Sequence, residues 1–69
     1  VIYKEDNAFV INANEVITLV KLFDVTGKLV NEQKVGYKST KIFFAEDLRG
    51  VFLLEIITPT KRYTHKVIN

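Results

Sequence analysis

The sequence has no cysteine, no methionine and no tryptophan, and only one proline, three glycines and one histidine in 69 residues. Without cysteine there are no disulfide staples, no thiolate zinc or iron-sulfur ligands and no thiol nucleophile. The lone His65 has no second histidine to share a metal with, so no cofactor is expected. Zero cysteine is compatible with an oxidising compartment without establishing one. No apolar run approaches the roughly 18 residues of a membrane span, and the opening residues lack the charged-then-apolar pattern of a signal peptide. An excess of one charge is also missing. Ten Lys and Arg against eight Asp and Glu leave +2 and a pI near 9.0, weak for a nucleic-acid binder that must neutralise many phosphates.

What is present is a globular composition, 48% hydrophobic and 12% aromatic, enough for one core, so residues 1–69 read as a single domain. A chain this short hides only about 60% of the surface its unfolded form exposes, which leaves it marginal unless a neighbouring module adds contacts. The expectation is a fragment of a larger protein. A start at Val1 rather than Met fits a segment whose export signal lies upstream.

Short segments rich in Val, Ile, Phe, Tyr and Thr alternate with Asn, Asp, Gly and Pro clusters, the pattern of strands and turns. Val1 to Lys4 and Ala8 to Asn12 form a hairpin across Glu5-Asp6-Asn7, and Val16 to Asp24 turns through Thr26-Gly27 into Lys28 to Lys34. Thr40 to Phe44 follows the loop Gly36 to Ser39. A polar connection, Ala45 to Gly50, has room for one helical turn. Val51 to Thr58 is apolar on both faces, apart from Glu55, and reads as a central strand with both faces largely covered. Pro59-Thr60-Lys61 turns into a last strand, Arg62 to Ile68. About seven short strands without crossover helices predict an all-β fold, a small antiparallel β-sandwich of immunoglobulin-like type.

Chemical signals are thin. Ser39, the strand threonines and His65 are too few for nucleophilic catalysis. His65 reads as a surface or sheet-packing residue, Glu46-Asp47 as a solvated loop or turn cap, and Asp24 as a turn acceptor rather than part of a calcium cage. Tyr37, Lys38, Lys41, Phe43 and Phe44 interleave rings and cations as single-strand nucleic-acid platforms do. Successive strand residues point to opposite faces, however, so at least one of Phe43 and Phe44 should enter the core. The basic cluster Lys61, Arg62, His65 and Lys66 suits either protection of an edge strand or recognition of a partner, with His65 on one face and Arg62 and Lys66 on the other.

The stretch Val20-Lys21-Leu22-Phe23-Asp24-Val25-Thr26-Gly27-Lys28-Leu29-Val30 resembles the signature hairpin of the C-terminal sorting domains of the type IX secretion system of Bacteroidota. In order behind it, Asp47-Leu48-Arg49-Gly50-Val51-Phe52-Leu53-Leu54-Glu55-Ile56 is similar to that family's loop, glycine and apolar strand. Lys61-Arg62-Tyr63-Thr64-His65-Lys66-Val67-Ile68-Asn69 resembles its short basic ending. Val1-Ile2-Tyr3-Lys4 with Phe9-Val10-Ile11-Asn12 is similar to the opening hairpin of one variety. Phe52 stands where the family usually has Tyr, and the Asn-Pro near the start of many members is absent.

The resemblance implies a non-enzymatic module at the end of a larger secreted cargo, directing it across the outer membrane. It further implies partners in the outer-membrane translocation and attachment machinery, including a sortase-like protease that often removes the domain. The implied route runs through the periplasm to the cell surface or the medium. By position, Gly50, Phe52, Lys61, Arg62 and Lys66 become candidates for translocon recognition, and Asp24, Gly27 and Lys28 for maintaining the hairpin turn. An exposed terminal edge strand would allow docking by strand addition, the basic strand selecting an acidic groove, and the same edge would allow a dimer. The alternative is a fibronectin-like or carbohydrate-binding accessory module that contacts a ligand through loops such as Gly36 to Ser39, because a sandwich fold alone does not separate the two.

Overall fold

The computed structural model describes residues 1–45 and 47–69. Glu46, one half of the acidic pair, lies outside the described residues. Among the described residues seven strands follow one another: β1 (Ile2–Glu5), β2 (Ala8–Asn12), β3 (Leu19–Asp24), β4 (Leu29–Lys34), β5 (Ser39–Phe43), β6 (Val51–Ile57) and β7 (Arg62–Ile68). They form a three-stranded sheet ordered β1-β2-β5 and a four-stranded sheet ordered β4-β3-β6-β7. Every pairing is antiparallel. This is the expected all-β sandwich, and among the described residues no helix is long and apolar enough to cross a membrane.

Alternation along each strand builds the core. Phe9, Ile11 and Ile42 of the smaller sheet meet Val20, Leu22, Phe52, Leu54 and Ile56 of the larger one. Phe44 enters beside Phe9 with ring centroids 4.9 Å apart, while Phe43 stays 54% exposed, as their adjacency on one chain requires. Six side chains, Ile11, Ile17, Val20, Leu22, Ile42 and Leu54, are fully buried, each contributing about 1.5–3 kcal/mol of hydrophobic transfer.

Two strand readings need correction. Val16 to Thr18 is not part of β3, because this stretch carries the chain from one sheet to the other. The Ile17 N–H donates to the Tyr37 carbonyl at 2.9 Å, and the Thr18 N–H donates to the Ile57 carbonyl at 2.8 Å. Ile17 is nevertheless completely buried. β6 is central in its sheet, yet only its Phe52, Leu54 and Ile56 face is buried. Among the described residues no layer covers the other face, and Leu53 there is 37% exposed.

The two sides of the sandwich close differently. At the β4–β5 side a register shift between Leu22 and Phe23 pairs them with Asn31 and Leu29, leaving Val30 as the extra residue of a bulge. Val30 packs against the core, and the amides of Asn31 and Gln33 cross to the other sheet. Asn31 Nδ2 donates to the Phe43 carbonyl at 2.8 Å, and Gln33 Nε2 donates to Thr40 Oγ1 at 2.6 Å. At the opposite side, β1 and β7 are the outer strands of sheets with unequal strand numbers. There the sandwich stays open.

Candidate functional site

The open side is a groove of about 600 Å³ whose apolar lining includes Ile2, Ile11 and Ile56 and whose β7 wall presents Tyr63 and His65. Register explains this. Tyr63 and His65 pair with Ile56 and Leu54, so they continue the core-facing rows of β6. The three-stranded sheet does not reach across to cover them, and both remain exposed. At one end of the groove the hydroxyls of Thr58 and Thr60 hold the Glu15 carboxyl below the usual range, with Lys61 adding to the shift. The Thr60 hydroxyl donates to Glu15 Oε1 at 2.7 Å.

The recognition candidates divide by position. Arg62 and Lys66 share the outer face of β7, opposite Ile57 and Leu53, and lie roughly 13 Å apart at about 3.4 Å per residue. Arg62 Nε sits 3.9 Å from Glu55 Oε2. An exposed pair at that separation is worth at most about 1 kcal/mol, and Arg62 remains exposed. Lys61 closes the turn after β6: its N–H donates to Thr58 Oγ1 at 3.0 Å, and its carbonyl accepts the Thr58 N–H at 2.9 Å. Gly50 opens β6 at φ +118°, a conformation that L side chains rarely adopt. Phe52 is 3% exposed and packed in the core. Its ring therefore supports β6 from inside the core.

The hairpin residues work as one turn. Asp24 Oδ1 accepts hydrogen bonds from the Thr26 N–H at 2.9 Å, the Thr26 hydroxyl at 2.6 Å and the Lys28 N–H at 3.0 Å. The Thr26 hydroxyl, followed by the Lys28 amide, holds this carboxyl below its ordinary pKa. Gly27 takes φ +89° and donates to the Asp24 carbonyl at 3.0 Å. Asp24 thus serves the turn amides, and no group of three or more acidic or histidine side chains suited to a metal occurs among the described residues.

Other sequence signals are dispersed. Lys41 Nζ donates to Glu5 Oε1 at 2.7 Å, a bond that raises the lysine pKa, and Phe44 is in the core, so the aromatic-basic cluster around Lys41 does not form one platform. Ser39 donates to Asn12 Oδ1 at 2.6 Å rather than to a catalytic base. Sequence reasoning missed the groove, since it depends on two strands distant in the chain. The alternation of Tyr63, His65 and Val67 with Arg62, Thr64 and Lys66 was its only local trace.

Two unequal antiparallel sheets closed on one side and open on the other place this protein among small β-sandwich modules with an accessible strand edge. The chain belongs to the secretion system C-terminal sorting domain family, whose pattern matches residues 5–69, all but the first four positions. It is a type IX secretion sorting signal, which implies association with that secretion machinery and with an upstream cargo protein, and export toward the cell surface or the medium. The family is not known as catalytic. No curated protein matched the chain.

Proposed function

We propose that residues 1–69 act as one non-catalytic module at the end of a larger secreted cargo, recognised in the periplasm by the outer-membrane translocation machinery through β7. The family match across both sheets carries this reading. Arg62 and Lys66 supply exposed charge on the terminal strand, Lys61 fixes the turn that launches it, and Gly50 anchors its far end. A sortase-like protease then removes the module, leaving the cargo attached to the surface or released.

The test fuses residues 1–69 to the C-terminus of a fluorescent reporter carrying an inner-membrane export signal, in a type IX-competent bacterium. The expected result is reporter at the surface or in the medium, free of the module. The doubly substituted Arg62→Glu, Lys66→Glu fusion is expected to stay in the periplasm while remaining folded. Periplasmic retention of a folded wild-type fusion would overturn the proposal. Point substitutions are the better probe than removal of residues 61–69, because β7 is one of the two neighbours of β6 and its loss also damages the fold.

A further inference from the structure

Hydrogen bonding at the two ends of the β6–β7 ladder fixes which backbone groups of β7 are free. Gly50 and Asn69 exchange both bonds at one end, and the Thr58 N–H donates to the Lys61 carbonyl at the other. Antiparallel pairs alternate between bonded and non-bonded. Tyr63, His65 and Val67 therefore bond to β6, and the N–H and C=O groups of Arg62, Thr64, Lys66 and Ile68 point away from it. Among the described residues β7 has no neighbouring strand on that side. The outward backbone groups thus belong to the residues whose side chains lie on the outer face, two of them the cationic Arg62 and Lys66, whereas the alternate residues Tyr63 and His65 face the groove.

Resting on the sorting reading, we propose that β7 receives an extended segment of a partner protein whose side chains alternate acidic and apolar. Such a strand would pair with the free groups of Arg62, Thr64 and Lys66. Its residues opposite Arg62 and Lys66 lie on the outer face and are acidic. Those opposite Tyr63 and His65 share the face of these two exposed side chains, at the outer rim of the groove, and are apolar. The required order is acidic, apolar, any, apolar, acidic, which reads the same in either chain direction. Charge selects this occupant over a second copy of the chain. In a two-fold antiparallel pairing centred on Thr64, Arg62 of one copy would face Lys66 of the other, and like charges directly opposite are destabilising. β7 itself contains no acidic residue.

The probe is a blocked peptide with Glu-Val-Thr-Val-Glu at its centre, titrated into the 69-residue chain and followed by amide hydrogen exchange. Saturable binding is expected, with new protection at the amides of Arg62, Thr64 and Lys66 and little change at Tyr63 and His65, which are already bonded. A Lys-Val-Thr-Val-Lys peptide and the order Val-Glu-Thr-Glu-Val are both expected to bind about tenfold or more weakly, the scale of a lost charged contact. Thr64→Pro removes one outward N–H without touching the β6 ladder, a position where edge strands accept proline, and is expected to abolish the protection. Should that variant not fold, Arg62→Glu with Lys66→Glu should invert the preference between the two charged peptides.

Absence of saturable binding, binding without the alternating protection, or self-association that protects the same amides without peptide would each overturn the inference. Normal export of a folded Thr64→Pro fusion would also overturn it while leaving the sorting function intact. Failure of the wild-type fusion to be exported would instead strike the sorting reading.

Discussion

Gly50 and Asn69 exchange two backbone hydrogen bonds, from the Gly50 N–H to the Asn69 carbonyl at 3.1 Å and from the Asn69 N–H to the Gly50 carbonyl at 3.0 Å. The Asn69 side-chain amide also donates to the Leu48 carbonyl, so this one residue ties β7 to the loop before β6. The bond pair forms with Gly50 at φ +118°. A Cβ built at Gly50 would meet nothing within 4 Å, so the demand for glycine is conformational and not steric crowding by neighbours.

Gly50→Val and Gly50→Ala are therefore both expected to destabilise the domain, by about 1–3 kcal/mol, with a melting temperature lower by on the order of 10 °C. Export of the fusion should fall with stability. A D-alanine placed there by chemical synthesis, which favours positive φ, should restore most of the loss. Thermal unfolding of the three variants checks this, and a Gly50→Ala protein as stable as wild type would remove the backbone explanation.

Asp24 gives the hairpin a pH dependence. Its carboxyl is held below the ordinary value of about 3.9 by the Thr26 hydroxyl and the Lys28 amide, so the folded state binds its proton less readily than the unfolded state. A depressed carboxyl contributes stability that is complete above its unfolded pKa and is lost as the pH falls through the folded one. Asp24→Asn keeps an acceptor oxygen but loses the charge. The gap between wild-type and Asp24→Asn urea midpoints should be full at pH 6 to 7 and shrink steadily below about pH 4. An unchanged gap at pH 2 to 3 would count against this coupling.

Ile17 has no exposed surface although it belongs to no strand. Ile17→Ala is expected to cost about 2–5 kcal/mol, as for a core strand residue, against a total of about 3–10 kcal/mol for a domain of this length. Val16→Ala, at an exposed neighbour, should change stability by less than about 0.5 kcal/mol. Urea unfolding of the pair separates a buried crossing segment from a surface loop.

Residues 16–18 also mark where the sequence stops being readable. Strand positions follow from period-two alternation and from turn chemistry at Asp24, Gly27 and Pro59, all local properties, and the hairpins β1–β2, β3–β4 and β6–β7 join neighbours in the chain. The pairings β2 with β5 and β3 with β6 join distant segments, and no local pattern specifies them. The Val30 bulge is equally hidden, because it answers to the partner strand. For the site, the basic outer face at Arg62 and Lys66 was legible from alternation. That Tyr63 and His65 are uncovered depends on one sheet having three strands and the other four, which is a property of the whole assembly.

The Gln33–Thr40 bond at 2.6 Å joins the two sheets at their closed side. A double-mutant cycle with Gln33→Ala and Thr40→Val should give a coupling of roughly 0.5–1.5 kcal/mol, the range for a partly buried neutral hydrogen bond. Additive effects would mean that the amide contributes through packing alone and that the seam is held by the Asn31 contact and the core beneath it.

β7 protects β6 as well as offering its own edge. Pairing with β7 occupies the backbone groups of Phe52, Leu54 and Ile56, and β6 is apolar at six of its seven positions, Glu55 excepted. A chain lacking residues 61–69 would present that strand with an open ladder and no charge beyond Glu55, the pattern that promotes edge-to-edge aggregation. The truncated chain is expected to associate at micromolar concentration, visible by light scattering and sedimentation velocity, whereas Arg62→Glu with Lys66→Glu should remain monomeric with an unchanged circular dichroism spectrum. The contrast separates two roles of one strand, since the substitutions alter the outer charge and leave the β6 ladder paired. A folded, monomeric truncated chain would show that β6 does not need this neighbour.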